Sequence, residues 1–321
     1  MIVTRLIGGL GNQMFQYAYG LYLAQATQQE LFIDVSGFED YTLHALAIDN
    51  FAISAKRLPE SEMHRIPGRY RGTSRVQESV QCFLGKFRKS GSLTLRREKP
   101  FGFQAAYMES GSDLYLAGYW QGESFFPQMR AALRNEFALM DLMSSMSQDL
   151  SEQMANCNSV AVHVRRGDYV SNPETGKIYR RLDADYYRKC LNDLKQHVDN
   201  PQVFLFSNDI DWCLKNLDVG IPFTPVTHTD ASTAHEDLYL ISRCRHAVIA
   251  NSTFSWWGAF LGNTGLQSES QPADSQPADS HRRVYYPEPW FNPGTLNGNA
   301  LGCHDWIGEQ SISDNVQRIA A

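Results

Sequence analysis

Two adjacent arginines close an apolar run in "AVHVRRGDYV", residues 161–170. Ala161, Val162 and Val164 read as a buried strand. Arg165 and Arg166 then stand where a parallel strand delivers side chains to a ligand-binding edge. A guanidinium there can grip phosphate oxygens through paired N–H donors. Strand side chains alternate, so one arginine faces the ligand while the other enters a structural ion pair, with Asp168 as the nearby partner. His163 shares the face of Arg165 by the period of two, either as a ligand contact or as a satisfied core histidine.

A second pattern that favours anions is "NSTFSWWGAFLG", residues 251–262. Ser252, Thr253 and Ser255 offer hydroxyls beside the N–H groups that open a new helix, and Trp256 and Trp257 read as core packing. In "GGLGNQM", residues 8–14, a glycine turn brings Asn12 and Gln13 close to a ligand at another helix N-terminus. That stretch begins like a dinucleotide fingerprint, and Asp34 mimics its ribose-binding acid. Met14, however, stands where close helix packing demands a small residue, which argues against a nicotinamide or flavin enzyme. Thr233 and Glu236 have capping-box spacing, leaving Asp237 one step into that helix and able to face a ligand. Two DxD triplets, Asp183 with Asp185 and Asp209 with Asp211, have the carboxylates to hold Mg²⁺ or Mn²⁺. The simpler reading is that Asp185 caps one helix and Asp211 sits in the first turn of another. The sequence contains no HExxH motif, nucleophile elbow or zinc-spaced His and Cys cluster.

The elements that must carry these residues alternate. A strand at 2–7, a helix at 14–25 and a strand at 31–35 form a βαβ unit. Residues 36–100 show no clear pattern. A strand at 114–120 precedes a helical spacing of Phe125, Met129, Leu133 and Phe137, and helical composition runs on to about Asn156. Strands near 159–164, 202–206, 246–250 and 284–286 then alternate with helices near 184–198, 210–217 and 233–245. Such alternation predicts two Rossmann-type α/β domains, 1–156 and 157–321, with parallel sheets facing a central cleft. A repeat of "SQPAD" within 267–283 reads as a mobile surface insertion.

The 321 residues carry 29 basic and 35 acidic side chains, a net charge of -6, so no global basic field recruits nucleic acid. No apolar run is long enough for a transmembrane segment, and "MIVTRLIGG" is not a signal peptide. The six scattered cysteines read as reduced thiols. A cytoplasmic enzyme is the expectation, with peripheral membrane association left open.

"GGLGNQMFQYA", "HVRRGDY", "SNDIDWC" and "NSTFSWWGA", in that order and joined by "YYPEPWF", resemble the bacterial α-1,2-fucosyltransferases of glycosyltransferase family 11. The resemblance implies a GT-B-like fold, GDP-β-L-fucose as donor, a galactose-terminated oligosaccharide as acceptor, inversion at the anomeric carbon and no metal or other cofactor. It places the acceptor on the N-terminal domain and the GDP-sugar on the C-terminal one. It also implies that Arg165 binds the β-phosphate, that His163 and Asp237 contact the guanosine, and that Ser252 and Thr253 hold the diphosphate with Asn251 beside them. Asn12, with Gln13 next to it, falls where an asparagine approaches the donor sugar and phosphate. Asp168 is the candidate base for the acceptor hydroxyl. Three alternatives remain: a metal-dependent transferase using another sugar nucleotide, a dinucleotide-dependent oxidoreductase and a non-catalytic sugar-binding module.

Overall fold

The run Ile2–Arg5 forms the first strand, β1, and Gly8 then turns the chain with φ +80°, a conformation that L side chains rarely adopt. A computed structural model describes residues 1–39, 41–66, 92–98, 113–167, 173–262, 282–296 and 301–312. The chain divides into two units, Met1–Met140 and Asp141–Ala321.

In the first unit, β1 leads into α1 (Leu10–Thr27), followed by β2 (Leu31–Asp34), β3 (Lys56–Arg57), β4 (Thr94–Arg97), β5 (Leu114–Ala117) and α2 (Arg130–Glu136). The sheet order is β3-β2-β1-β5-β4, and every pairing is parallel. Helix α1 starts at Leu10, before the expected Met14, because Gly9 at its N-cap is extended and needs no side-chain cap to open the first turn. The expected helical run through Phe125 and Phe137 is broken. All four apolar residues are buried, but Gln128 adopts φ +62° after Pro127, so a 3₁₀ turn at Glu123–Phe125 and α2 share that face. Val3 and Tyr115 pack with Leu58, Ile66 and Leu93 in one core cluster.

The second unit contains α3 (Ser145–Ala155), β6 (Ser159–Val164), α4 (Pro173–Ile178), α5 (Ala184–Leu194), β7 (Gln202–Ser207) and α6 (Ile210–Asn216). It continues with β8 (Phe223–Pro225), α7 (Ala234–Arg243), β9 (His246–Val248), α8 (Thr253–Leu261), β10 (Val284–Tyr286) and β11 (Ile307–Gly308). Its parallel sheet runs β11-β10-β9-β6-β7-β8. The break between units falls at Met140, earlier than the expected residue 156, since α3 belongs to the second unit. Ser144, which caps α3, donates its N–H (3.1 Å) and hydroxyl (2.7 Å) to Glu236 of α7. Most of the SQPAD stretch lies outside the described residues. Among the described residues no helix is long and apolar enough to cross a membrane.

Candidate active site

Strand β6 is the first strand of its sheet in sequence, and all six of its residues are buried. The chain winds from β6 to β7 and β8 on one side, then crosses to β9 on the other. The strand order therefore reverses between β6 and β9, and the carboxyl ends of these two strands flank the crevice where doubly wound sheets bind ligands. Arg165 follows the end of β6, while Asn251, Ser252 and Thr253 follow the end of β9. The topology thus brings the two sequence patterns, 86 residues apart from Arg165 to Asn251, to one edge.

Two neighbouring tyrosines hold that edge. The Tyr186 hydroxyl donates to the carbonyl of Ile249 at 2.6 Å, and the Tyr187 hydroxyl donates to the carbonyl of His163 at 3.2 Å. One turn of α5 thereby ties down both strand ends beside the switch point. Burial pushes both phenols well above their ordinary range, so both stay protonated donors.

His163 is 4% exposed and its ring lies 5.8 Å from that of Phe254 in α8. Burial, and then the positive charge of Arg165, depress its pKa to about 3, so the imidazole is neutral at working pH. Its Nδ1 has no hydrogen-bond partner among the described residues. A buried polar atom left in this way is open to a partner that the described residues do not supply.

Arg166 is the bracing member of the arginine pair. Its guanidinium stacks 3.4 Å above the Trp212 ring, and its Nε donates to Asp209 at 3.2 Å. Asp209 is thus an ion-pair partner of Arg166, while the expected partner Asp168 lies outside the described residues. The Arg166 N–H donates to Asn208 Oδ1 at 3.0 Å. A Cβ on Gly167 would lie 2.1 Å from Asn208 Nδ2, so any side chain there would push the Asn208 amide aside.

Ser252 is the N-cap of α8, yet its hydroxyl makes no capping bond. Asn251 is committed to the framework instead, and its amide donates to the carbonyls of Arg180 (2.7 Å) and Trp290 (3.0 Å). Arg180 in turn forms a forked pair with Glu309 at 2.7 and 3.2 Å. Asp237 is half buried in α7 and accepts from the Thr229 hydroxyl at 2.7 Å. Burial pushes its pKa up to about 6, against the pull of that hydrogen bond.

Several expectations are corrected here. Glu236 does not close a capping box, because its carboxylate accepts from Ser144 and Ser147 while Thr233 makes no side-chain cap. Asp183, not Asp185, caps α5, since the helix starts at Ala184, and Asp185 pairs with Arg188 at 2.6 Å. Asp209 caps α6 through the Trp212 N–H while holding Arg166, so both of its oxygens are engaged by protein.

Asn12 and Gln13 lie in the first unit, at the carboxyl end of β1. Gln13 is fully buried and saturated. Its Nε2 donates to the carbonyls of Gly8 and Ala45, both at 2.9 Å, and its Oε1 accepts from Ala47 (2.9 Å) and Ile48 (3.1 Å). It staples the turn before α1 to the loop after β2 and has no capacity left for a ligand. Asn12 accepts instead from Gln121, which follows β5, at 3.0 Å.

A guanidinium, two hydroxyls and a helix amino end following the two strands of one switch point are the groups with which an α/β unit can hold an anion. The family model for glycosyl transferase family 11 matches residues 94–288. An α-1,2-colitosyltransferase of Escherichia coli is 32% identical over 96% of this chain and 98% of its own length. Human galactoside α-(1,2)-fucosyltransferase 1 is 27% identical, covering 91% and 73% respectively. The crystal structure of fucosyltransferase NodZ from Bradyrhizobium, 15% identical, covers 81% of this chain and 92% of its own at a TM-score of 0.49. The chain is a glycosyltransferase, and it belongs to glycosyltransferase family 11.

Proposed function

We propose that this enzyme moves L-fucose from GDP-β-L-fucose to O2 of a terminal galactose, with inversion and without a metal. The observation that carries the reading is the convergence of Arg165, Ser252 and Thr253 on the β6–β9 switch point, beside the unsatisfied His163. In the reaction the acceptor O2 forms a bond to fucose C1 as the bond from C1 to the diphosphate oxygen breaks. The electron pair leaves on the β-phosphate. Arg165 and the amino end of α8 stabilise that growing charge, and each donor aimed in this way contributes about 2.7–4 kcal/mol at the transition state. His163 and Asp237 hold the guanosine, the aspartate as an acceptor for base N–H groups. The O2 proton passes to a base, for which Asp168 is the candidate; an unchanged pH–rate profile in Asp168→Asn removes it from that role.

A direct test is transfer from GDP-fucose to lactose in the presence of EDTA, followed by linkage analysis. Formation of an α-1,2 product supports the reading, and strict dependence on added Mn²⁺ or Mg²⁺ overturns its metal-free part. The similarity to a colitosyltransferase favours a second donor. Colitose is L-fucose without the C3 hydroxyl, so the ratio of kcat/KM for the two GDP-sugars decides which donor is native.

A further inference from the structure

The carboxyl edge of the first unit's sheet also has a switch point, between β1 and β5, and its surroundings differ in kind. Residues 6–11 after β1 and 118–121 after β5 carry no charge, and Glu98 after β4 is engaged by the Tyr119 N–H, from which it accepts at 2.6 Å. Aromatic rings gather there instead. Phe38 and Tyr41, from the loop after β2, pack edge to face with centroids 5.8 Å apart, and Tyr41 lies 6.1 Å from His44. The His44 ring sits against the backbone of Gly9, where a Cβ would be 3.6 Å from it. Tyr119 follows β5, is 43% exposed and lies close enough to Tyr41 to help raise its pKa. Beside these rings stands the Asn12–Gln121 amide pair. Among the described residues Asn12 Nδ2 and Gln121 Oε1 make no hydrogen bond, which leaves one donor and one acceptor side by side. Exchanging N and O in both amides leaves the same complement.

We infer that Tyr41, His44 and Tyr119, with Phe38 behind them, form the platform that binds the acceptor's pyranose ring, while Gln121, held by Asn12, meets its hydroxyls. This rests on the glycosyl-transfer reading above. The chemistry of a galactoside matches the edge point for point. The ring is uncharged, so no guanidinium is needed. Its axial O4 leaves H3, H4 and H5 as one apolar face that an aromatic ring can cover, and its hydroxyls need neutral donors and acceptors. A nucleoside diphosphate would find the amino end of α1 here but no guanidinium among the residues that directly follow β1 or β5.

The test uses saturation-transfer NMR with lactose, steady-state kinetics and calorimetry with GDP. In the wild type, the galactose H3, H4 and H5 protons are expected to receive the strongest saturation. In Tyr119→Ala and His44→Ala, both altering exposed side chains, that signal fades and the KM for lactose rises about tenfold, the effect of losing one ring's contact area. The Kd for GDP stays unchanged. Tyr119→Phe retains the stacking and most of the affinity. Unchanged lactose KM and saturation in both alanine variants would overturn the platform, as would a parallel loss of GDP affinity. If the wild type binds lactose through these residues yet transfers no fucose, the donor assignment fails while the platform stands.

Discussion

Both units place the first strand inside the sheet with the order reversing beside it, although the first returns inward from β4 to β5 and the second runs outward from β9 to β11, yet the two switch points are furnished with different chemistry. Beside β6 stand an arginine, two hydroxyls and the amino end of a nine-residue helix. Beside β1 stand two neutral amides and a group of aromatic rings, with the amino end of the longer helix α1 but no arginine in the turn that follows the strand. A fold of this kind creates a crevice wherever its winding reverses, but it does not decide what enters. The side chains in the first turn after each strand decide that.

The sharpest way to break this comparison is to remove the charge. Arg165→Ala is expected to lower kcat by roughly 10² to 10³, the range for loss of one donor aimed at a developing anion. The same truncation at Asn12 should mainly disturb sugar affinity. Equal losses of kcat at both positions, measured with saturating GDP-fucose, would show that the two edges are not chemically distinct. A second prediction concerns the framework under the neutral edge. Gln13→Ala strips partners from Gly8, Ala45, Ala47 and Ile48 at once. Leaving such buried backbone groups unpaired is expected to destabilise by about 3 kcal/mol, a melting point lower by roughly 6–12 °C. A calorimetric scan within about 2 °C of wild type would mean that water replaces the glutamine, and that the turn is not stapled.

Much of the second unit was legible in its letters, and the reason is physical. Strands of a parallel sheet covered on both faces must be nearly all apolar, so "VFLFS" and "HAV" announce themselves, and β6, β7 and β10 fall where they were expected. The arginine pair was legible at the end of its strand, though not which partner would brace Arg166. Asp168 is close in sequence, whereas Asp209 reaches Arg166 because β6 and β7 are adjacent. Gln13 shows the complementary failure. A glutamine that binds a ligand and one that closes four backbone gaps look identical in sequence, and only the loop at Ala45–Ile48 separates them. Tyr186, Tyr187 and the Asn251–Arg180–Glu309 chain were invisible for the same reason, since each acts on a group distant in sequence. Between residues 36 and 113 the described strands are short, β3 having two residues and β4 four. Too few residues alternate there to reveal a period.

The charged edge should also respond to pH. Burial raises Asp237 to about 6, so the fold favours its protonated form, and the stability this contributes is lost as pH rises through about 6. A guanine contact through its oxygens requires the ionised form. Binding GDP must then expel a proton whenever the pH lies below that value, and affinity is expected to fall by up to about tenfold per unit as the pH drops further. Asp237→Asn should flatten that slope. A GDP Kd independent of pH between 5 and 7 in the wild type would separate Asp237 from the nucleotide.

The smallest effect tests the contrast itself. Attraction between Arg165 and a diphosphate weakens as salt shortens the screening length from about 10 Å at 0.1 M to about 3 Å at 1 M, whereas stacking on Tyr119 and hydrogen bonds to amides carry no net charge to screen. Raising NaCl across that range should weaken GDP binding by a few-fold while the lactose KM stays level or falls slightly, since salt strengthens apolar contacts. Because both readings come from one protein in one buffer series, general destabilisation cannot mimic the result. A lactose KM that climbs in step with the GDP Kd would place charge at the edge beside β1, and the division of labour between the two switch points would fail there.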